Sequence, residues 1–352
     1  MKITTIIGAR PQFIKAAVVS RAIRDQYSDV QETIIHTGQH YDANMSDVFF
    51  YELNIPWPDH QLGIGGGTHG QNTGRMIEAI ETVLQKNKTD LVLVYGDTDS
   101  TLAGALAAVK LKIPVAHVEA GLRSFNRHMP EEINRVLTDQ IAELLFTPTD
   151  TATRNLLIDN VSGRMVHQVG DVMYDAALYY RLRAKCPSNF VLDDGYILAT
   201  LHRAENTDSR DRLEQIISAL NDIAIVTPVV MPLHPRTRKL LQQIQIDTRN
   251  ITLLEPVSYL HMVWLLEHCK LVVTDSGGLQ KEAYFFAKPC ITTRDETEWV
   301  ELVEVGWNVL VGASRSLIID TCLRNDPSRL QVQKSLYGTG DAGLKIAKIL
   351  AG

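Results

Sequence analysis

Residues 89–101 read TDLVLVYGDTDST, a stretch that places an apolar run directly before acidic residues. The run Leu91–Tyr95 carries no charge, and its aliphatic side chains and short length are typical of a buried strand in a parallel sheet. Asp97 follows that run after a single glycine. In open α/β sheets, ligands bind beyond the carboxyl ends of the strands. The stretch therefore predicts both a parallel sheet and a polar site at its edge.

A second strand with the same arrangement follows. Residues 113–124 read IPVAHVEAGLRS, in which an uncharged run at Pro114–Val118 ends at Glu119. The nearby segment MPEEINR, residues 129–135, adds Glu131. Carboxylates that converge at one edge of a sheet are suited to acid–base chemistry.

Each of these acids also has a structural interpretation. Asp97 is placed to cap a helix that begins near Thr101. Glu131 and Glu132 fit the first turn of a helix, where the helix dipole favours negative charge. One such residue would be ordinary, whereas three in a common region favour a functional interpretation.

Short apolar runs alternate with amphipathic stretches along the whole chain, which predicts α/β architecture with parallel sheets. A second series of strands begins near Met165. We therefore expect two doubly wound, Rossmann-like domains that face each other across a cleft. The expected first domain covers residues 1–169, with a C-terminal helix at about 340–352 packed back on it, and the second covers 170–339.

Composition narrows the class of protein. The chain has 352 residues, of which 45% are hydrophobic and 22% charged, as in soluble globular proteins. A net charge of -6 argues against a broad nucleic-acid surface. The four cysteines form no CxxC pair, so neither a metal site nor a disulfide framework is expected. No apolar run reaches membrane-spanning length and no signal peptide is evident, so we expect a cytoplasmic protein without membrane partners.

Residues 271–283, LVVTDSGGLQKEA, form the best candidate for an anion site. A strand ends before Ser276, two glycines (Gly277 and Gly278) permit close approach of the backbone, and a helix opens with free N–H groups that attract phosphate. An ordinary strand–helix turn with a serine cap fits equally well. Helix-terminus electrostatics contribute about 0.3–2 kcal/mol, whereas micromolar binding needs about 8 kcal/mol. Other residues must therefore take part.

Cations, histidines and a further carboxylate are the other candidates for binding such a ligand. Arg10 and Lys15 follow the first strand in GARPQFIK, and either is otherwise a solvated cation. His202 lies at the end of another strand, as does His234 in PLHPR. Two histidines at successive strand ends favour phosphate binding or proton transfer over a structural role. Glu282, one turn into the glycine-led helix, suits a ribose hydroxyl better than a phosphate.

Two common nucleotide-binding fingerprints are missing. The first turn, GARPQF, lacks the GxGxxG pattern of dinucleotide-binding dehydrogenases. The chain also contains no GxxxxGK[ST] phosphate-binding loop.

Taken together, GARPQFIK, TGQH, YGDTDST, HVEAGLRS, PEEINR and DSGGLQKEA resemble the bacterial UDP-N-acetylglucosamine 2-epimerase family in sequence and in order. The resemblance covers nearly the whole chain and implies the two-domain GT-B fold. It also implies inversion at C2 of a UDP-linked 2-acetamido sugar, without cofactor or metal. UDP leaves C1 as the C2 proton is removed, and then re-adds to the 2-acetamidoglucal.

Matching motif to motif assigns a role to each candidate. Asp97, Glu119 and Glu131 become the catalytic carboxylates, and His202 assists departure of the diphosphate. The resemblance assigns the UDP side to seven residues: Arg10, Lys15, Arg135, Ser276, Gly277, Gly278 and, at the ribose, Glu282. We also expect a homodimer.

Departures from the family pattern bear on the substrate. TEWVE at 297–301 places Trp299 where UDP-N-acetylglucosamine enzymes typically have arginine, and GARPQF replaces the commoner GTRPE. Both resemble the branch that acts on UDP-2,3-diacetamido-2,3-dideoxyglucuronate for O-antigen synthesis, which we favour over UDP-N-acetylglucosamine. The segment YDANMSD, residues 41–47, lacks the glutamines linked with an allosteric site in that family. A hydrolysing 2-epimerase, a GT-B glycosyltransferase and a non-catalytic nucleotide-sugar sensor remain as alternatives.

Overall fold

The structure, a computed structural model, divides into two compact units. The first consists of Met1–Ala176 with Lys334–Gly352, and the second of Ala177–Gln333. The residues that the structure describes are 1–39, 50, 53–161, 164–188, 190–191, 195–324 and 336–352, without the side chains of Arg10, Pro235 and Arg236.

The first unit is built on a seven-stranded sheet in which every pair of neighbouring strands is parallel. The spatial order is β3-β2-β1-β4-β5-β6-β7. The strands are β1 (Lys2–Ile7), β2 (Gln31–His36), β3 (His60–Gln61), β4 (Leu91–Tyr95), β5 (Val115–Val118), β6 (Leu144–Thr147) and β7 (Met165–Gln168). β4 and β5 are buried along their whole length, as expected for strands covered on both faces.

Helices follow these strands: α1 (Arg10–Gln26), α2 (His69–Asn87), α3 (Asp99–Lys110), α4 (Pro130–Ile141) and α5 (Asp150–Ile158). A further helix, α6 (Val172–Arg181), begins in the first unit and ends in the second. The main core of this unit joins Ile6, Val92 and Val94 of the sheet to Met76 and Ile80 of α2. The C-terminal helix, Ala342–Ala351, packs against α1. Gly343 permits that contact, because a Cβ atom there would lie 2.5 Å from the Val18 side chain.

The second unit contains a six-stranded parallel sheet in the order β10-β9-β8-β11-β12-β13. Its strands are β8 (Ile197–Thr200), β9 (Val229–Pro232), β10 (Thr252–Leu254), β11 (Leu271–Thr274), β12 (Cys290–Thr292) and β13 (Asn308–Leu310). Its helices are α7 (Ala204–Thr207), α8 (Arg210–Ile223), α9 (Pro235–Ile244), α10 (Tyr259–His268), α11 (Gly277–Phe285), α12 (Val300–Glu304) and α13 (Arg315–Arg324). Ile216 and Leu220 of α8 pack on Val229 and Met231 of the sheet.

Each sheet has one point at which the strand order reverses direction. In the first unit it lies between β1 and β4, and in the second between β8 and β11. Ligands of open α/β sheets bind at such switch points, beyond the carboxyl ends of the strands. The topology therefore directs attention to the turns after these four strands.

The α/β fold class with two doubly wound parallel sheets is confirmed. One detail of the sequence interpretation is wrong: the series that begins near Met165 opens with β7, which pairs with β6 and so belongs to the first sheet. Short apolar runs do not reveal which sheet they join, because that depends on pairing distant in sequence. Over the described ranges, no helix combines the length and apolarity needed to cross a membrane.

Candidate active site

The turn after β1 is fixed to the end of β4 by the side chain of Gln12. Its carbonyl oxygen accepts hydrogen bonds from the N–H groups of Gly8 (2.8 Å) and Ala9 (3.0 Å). Its amide nitrogen donates to the carbonyl of Tyr95 (2.9 Å). Gln12 thus holds the two strand ends of the switch point together. Arg10 is the first residue of α1, and its side chain lies outside the described part of the structure.

Lys15, one turn further along α1, forms an ion pair with Glu119 at the end of β5. The two side chains are only 10% and 8% exposed. Gly96 lies beside this pair with φ +63°, and a Cβ atom there would lie 3.1 Å from Lys15 Nζ and 3.3 Å from Glu119 Oε2. The next residue is Asp97, so one small region contains the ends of β1, β4 and β5.

Glu119 has a left-handed backbone, with φ +74°. A residue with a side chain avoids that region unless its surroundings hold it there, at a cost of about 1–3 kcal/mol. The N–H groups of Glu119 and Ala120 both donate to the carbonyl of Phe146 at 3.1 Å. The end of β6 therefore helps to hold the strained turn, which turns the Glu119 carboxylate towards Lys15.

Asp97 forms an ion pair with Arg135 of α4 and remains 31% exposed. It does not cap α3, because Thr98 is the capping residue and accepts from the N–H of Thr101. The capping interpretation of Asp97 is therefore wrong. The side chain of Asn134 donates to the Asp97 carbonyl at 3.0 Å, so two consecutive residues of α4 fix this position.

The two acids at the start of α4 differ in their surroundings. Glu132 is buried and accepts from the N–H groups of Ser124 (2.9 Å) and Phe125 (3.0 Å) as well as from Arg135 (2.8 Å). Its role is to hold the loop after β5 and to orient Arg135. Glu131 is half-buried, and within the described ranges no hydrogen bond or ion pair involves its carboxylate. Of the two, Glu132 is engaged by these contacts, whereas the Glu131 carboxylate is not engaged by another described residue.

In the second unit, a buried carboxylate organises the turn after β8. Asp275, at the end of β11, accepts from the N–H groups of His202 (3.0 Å) and Arg203 (2.9 Å) and from the side chain of Asn206 (3.2 Å). Asp275 thereby holds the switch point of this sheet together, as Gln12 does in the first unit. The His202 ring remains 38% exposed, and its centroid lies 5.9 Å from that of His234.

The pKa of His202 lies below its ordinary value. Burial of the ring lowers it, as do the positive charges of Arg203 and His234, while the Asp275 carboxylate opposes the shift. A neutral imidazole donates one hydrogen bond and accepts another. His202 is therefore largely neutral at neutral pH in the free protein.

The N-terminus of α11 has the features expected of an anion site. The Ser276 hydroxyl accepts from the N–H of Leu279, as a helix cap. A Cβ atom on Gly278 would have no atom within 4 Å, so open space lies in front of the helix start at this residue. Glu282 is buried one turn into the helix. Gly278 thus presents exposed backbone to an incoming group, whereas Gly277 is buried.

A charged cluster lies beside the same helix start. A side chain at Gly277 would overlap the carboxylate of Glu298, which is paired with Arg294 at 2.8 Å. Burial raises the pKa of Glu298, but Arg294 and Arg203 more than offset this and hold it below its ordinary value. Glu298 is thus ionised, with its charge balanced by two arginines.

Trp299, the residue that departs from the family pattern, is 4% exposed. Its indole N–H donates to the carbonyl of Gly277 at 2.9 Å, and the Lys281 ammonium lies 4.1 Å from its ring centroid. Trp299 therefore packs against the first turn of α11, and any effect on a bound ligand is exerted through that turn. Cation–π contacts of this kind contribute about 0.5–2 kcal/mol.

The structure brings the predicted residues together in two groups. Lys15, Glu119, Asp97 and Arg135 lie at the switch point of the first sheet, with Glu131 at the start of the adjoining helix α4. His202, Ser276, Gly277 and Gly278 lie at that of the second, with Glu282 one turn further on. Among the described residues, no group of three or more His, Cys, Asp or Glu side chains is arranged to hold a metal ion. The segment YDANMSD lies outside the described residues.

Sequence reasoning missed the supporting residues Gln12, Glu132 and Asp275. All three are buried polar side chains that accept hydrogen bonds from backbone N–H groups in the turns that carry the predicted site. The available signal was a polar residue directly after a strand or in the first turn of a helix. That signal does not identify the partner.

Known proteins resemble this chain over its whole length. The profile of the family described as UDP-N-acetylglucosamine 2-epimerase matches residues 22–351. A UDP-2,3-diacetamido-2,3-dideoxy-D-glucuronate 2-epimerase from Pseudomonas aeruginosa is 57% identical, over 100% of this chain and 99% of the relative.

Solved structures agree. The UDP-GlcNAc 2-epimerase of Methanocaldococcus jannaschii, in complex with UDP-GlcNAc and UDP, has a TM-score of 0.90 and 44% identity, over 99% of both chains. The UDP-GlcNAc 2-epimerase of Neisseria meningitidis, bound to UDP-GlcNAc, has a TM-score of 0.89 and 32% identity, again over 99% of both chains. These similarities confirm the GT-B fold class and the resemblance seen in the motifs. The chain belongs to the UDP-N-acetylglucosamine 2-epimerase family.

Proposed function

We propose that this protein is a UDP-sugar 2-epimerase, an isomerase that inverts C2 of a UDP-linked 2-acetamido sugar. The observation that carries the proposal is the pair of cation-bound carboxylates, Glu119 with Lys15 and Asp97 with Arg135, at one switch point. At the switch point of the second sheet, helix α11 begins, and a helix N-terminus is suited to bind phosphate. Sugar chemistry is assigned to the first unit and UDP binding to the second.

The chemistry explains why carboxylates are needed. The C2–H bond has no adjacent carbonyl, so direct removal of the proton is prohibitive. Departure of UDP from C1 builds positive charge there and acidifies C2–H, which yields a 2-acetamidoglucal. Return of UDP with a proton delivered to the opposite face completes the inversion. Each step of this route moves a proton and the UDP leaving group but no hydride, so the route itself requires no redox cofactor.

The surroundings of each carboxylate fit this scheme. Lys15 and Arg135 each hold one carboxylate in an ion pair, Glu119 and Asp97 respectively, and these carboxylates can stabilise charge at C1 and accept a proton. Inversion requires proton transfer on both faces of the ring, so more than one acid is needed. Glu131, whose carboxylate is not engaged by another described residue, is proposed as the third.

The UDP side is proposed to use the second unit. Diphosphate would accept hydrogen bonds at Ser276–Gly278, with Arg10 as a further cation, and Glu282 would accept from the ribose hydroxyls. Negative charge that accumulates on the departing diphosphate favours protonation of His202. His202 is thus suited to assist the leaving group and then to release its proton.

For the substrate we propose UDP-2,3-diacetamido-2,3-dideoxyglucuronate, which would be converted to the manno epimer as an O-antigen precursor. The 57% identity to a relative of that name supports this choice. Gln12 and Trp299 support it as departures from the pattern of UDP-N-acetylglucosamine enzymes. We also propose a homodimer, which sedimentation measurements would test.

A panel of UDP-sugars tests the activity and the substrate together. The purified protein is incubated with each candidate, and the anomeric region is followed by ¹H and ³¹P NMR. A second UDP-linked sugar that grows to a fixed ratio with the first is the expected result. Free sugar with UDP would instead identify a hydrolysing enzyme, and no reaction with any candidate would overturn the proposal.

A further inference from the structure

A histidine outside the proposed catalytic set lies on β5 and contacts the turn that follows the neighbouring strand β4. His117, on β5, is completely buried, and both of its ring nitrogens are engaged. Nδ1 lies 2.7 Å from Oδ1 of Asp139, a residue of α4. Nε2 lies 2.7 Å from the carbonyl oxygen of Gly96, the residue before Asp97.

The hydrogen-bond partners of the ring determine which of its nitrogens carry a proton. A backbone carbonyl only accepts hydrogen bonds, so Nε2 must donate. Asp139 also accepts from Arg123 at 2.7 Å and from the N–H of Gly121 at 3.1 Å, as a carboxylate does, and a carboxylate likewise only accepts. Both ring nitrogens therefore donate, and the ring carries a positive charge.

The charges of this buried cluster balance. Arg123 also pairs with Asp159 at 2.7 Å, so two cations face two carboxylates. Buried charges persist when each is paired and hydrogen-bonded. A neutral His117 would leave two carboxylates, Asp139 and the 31% exposed Asp159, sharing the single charge of Arg123.

We propose that His117, as an imidazolium, is the positioning residue that fixes the turns carrying Asp97 and Glu119 relative to each other. This inference rests on the proposed roles of those two carboxylates. Its Nε2 holds the carbonyl of Gly96, which precedes Asp97. Its partner Asp139 also accepts from the N–H of Gly121, two residues after Glu119, at 3.1 Å. The buried pair of His117 and Asp139 thus contacts and stabilises both turns.

The protonation state is tested by nitrogen NMR without any substrate. In protein labelled with ¹⁵N-histidine at neutral pH, one ring with two protonated nitrogens is expected, and its signals disappear in His117→Asn. Signals of a neutral tautomer assigned to His117 would overturn the proposal. This measurement does not depend on whether the protein is an epimerase.

Two variants separate positioning from general stability. The amide nitrogen of asparagine reaches the place of Nδ1, whereas that of glutamine reaches the place of Nε2. His117→Asn keeps a donor to Asp139 but releases Gly96, and His117→Gln keeps the donor to Gly96. Both variants should melt at lower temperature than the wild type, since each leaves buried charge less well paired.

Their kinetics should differ. We expect kcat of His117→Asn to fall about 100-fold, because small displacements of catalytic groups have effects of that size. The same substitution should change KM and UDP affinity little. His117→Gln should recover most of kcat, because it keeps the donor to Gly96 while Asp139, still paired with Arg123, continues to accept from the N–H of Gly121. Equal kcat in the two folded variants, or a change confined to KM, would overturn the proposal. If the wild type shows no epimerisation, the proposed function fails, while the NMR result on His117 still stands by itself.

Discussion

The ammonium of Lys15 and the carboxylate of Glu119 form an ion pair although the two residues lie 104 positions apart and both side chains are nearly buried. The pair joins the helix after β1 to the end of β5. It is therefore both part of the proposed catalytic site and a tertiary contact across the first switch point.

Lys15→Met should destabilise the protein by about 3–5 kcal/mol, because it leaves the Glu119 carboxylate buried without its cation. The double variant Lys15→Met/Glu119→Gln should recover most of that loss, since it removes both charges. Urea unfolding of the two variants and the wild type measures the difference. Equal stability of the single and double variants would show that the pair is not coupled in solution.

Asp97→Asn should lower epimerase turnover by about 10²–10⁴-fold, the range associated with loss of a general acid or base. UDP binding should be largely kept, because the proposed diphosphate contacts at Ser276–Gly278 lie on the other sheet. The matched control is Asp90→Asn at the opposite end of β4, where the carboxylate accepts from the N–H of Lys2 at 2.7 Å. Loss of UDP binding in Asp97→Asn would instead assign Asp97 a structural role.

Two neighbouring glycines provide a test of the anion site. Gly278→Ala meets no atom in the free protein, so its stability should stay the same or rise by up to about 1 kcal/mol through helix propensity. Its affinity for UDP should nevertheless fall about tenfold or more, because the methyl group keeps the diphosphate from the backbone.

Gly277→Ala is the contrasting variant. Its methyl group would displace the Glu298 carboxylate from Arg294, so it should lower the free energy of unfolding by about 1–3 kcal/mol. Calorimetry of UDP binding and thermal unfolding of both variants give the two quantities. Unchanged UDP affinity in Gly278→Ala would place the diphosphate elsewhere.

The pKa of His202 should be found below its ordinary value when its ring is titrated by NMR, mainly because the ring is partly buried. His234→Gln should raise that pKa, since it removes a neighbouring positive charge that disfavours the imidazolium. Bound UDP should raise it further. A downward shift on UDP binding would contradict the proposed contact with the diphosphate.

Asp175 should give the first unit a measurable pH dependence. Its carboxylate accepts from the N–H groups of Ala342 (3.2 Å) and Gly343 (2.9 Å), at the start of the C-terminal helix. Burial, aided by the charges of Asp171 and Asp341, raises its pKa from 3.8 to about 6. The native state therefore binds more protons than the unfolded state between those values, and stability from this group falls as pH rises through them.

Asp175→Asn should remove that component. The difference in free energy of unfolding between the wild type and the variant should shift in favour of the variant as pH rises from about 4 to 7. Urea unfolding at several pH values measures it. A difference that is constant with pH would show that Asp175 does not titrate in this window.

The fold was largely predictable because uncharged strand runs and amphipathic stretches alternate. The predicted strand Leu91–Tyr95 agrees with β4, and the strand predicted at Pro114–Val118 differs from β5 by one residue. Met165–Gln168 was harder to assign, because the choice of sheet depends on pairing with β6 and not on local pattern.

The residue types of the site and their positions at strand ends could be predicted, but the contacts between their side chains could not. The spacing of Asp97 and Thr101 suits a helix cap, yet Asp97 pairs with Arg135 of another helix. His117 and Asp139 show the same limit, since their hydrogen bond joins a strand to a helix 22 residues further along the chain. Long-range side-chain pairs leave no periodic signal in a sequence.

The central claim is that C2 is deprotonated and reprotonated while UDP leaves and returns. Turnover of the substrate in deuterated water, followed at C2 by NMR, tests it most directly. We predict that the inverted product keeps UDP and carries deuterium at C2. Inverted product that retains hydrogen at C2 would contradict elimination and re-addition through the glucal.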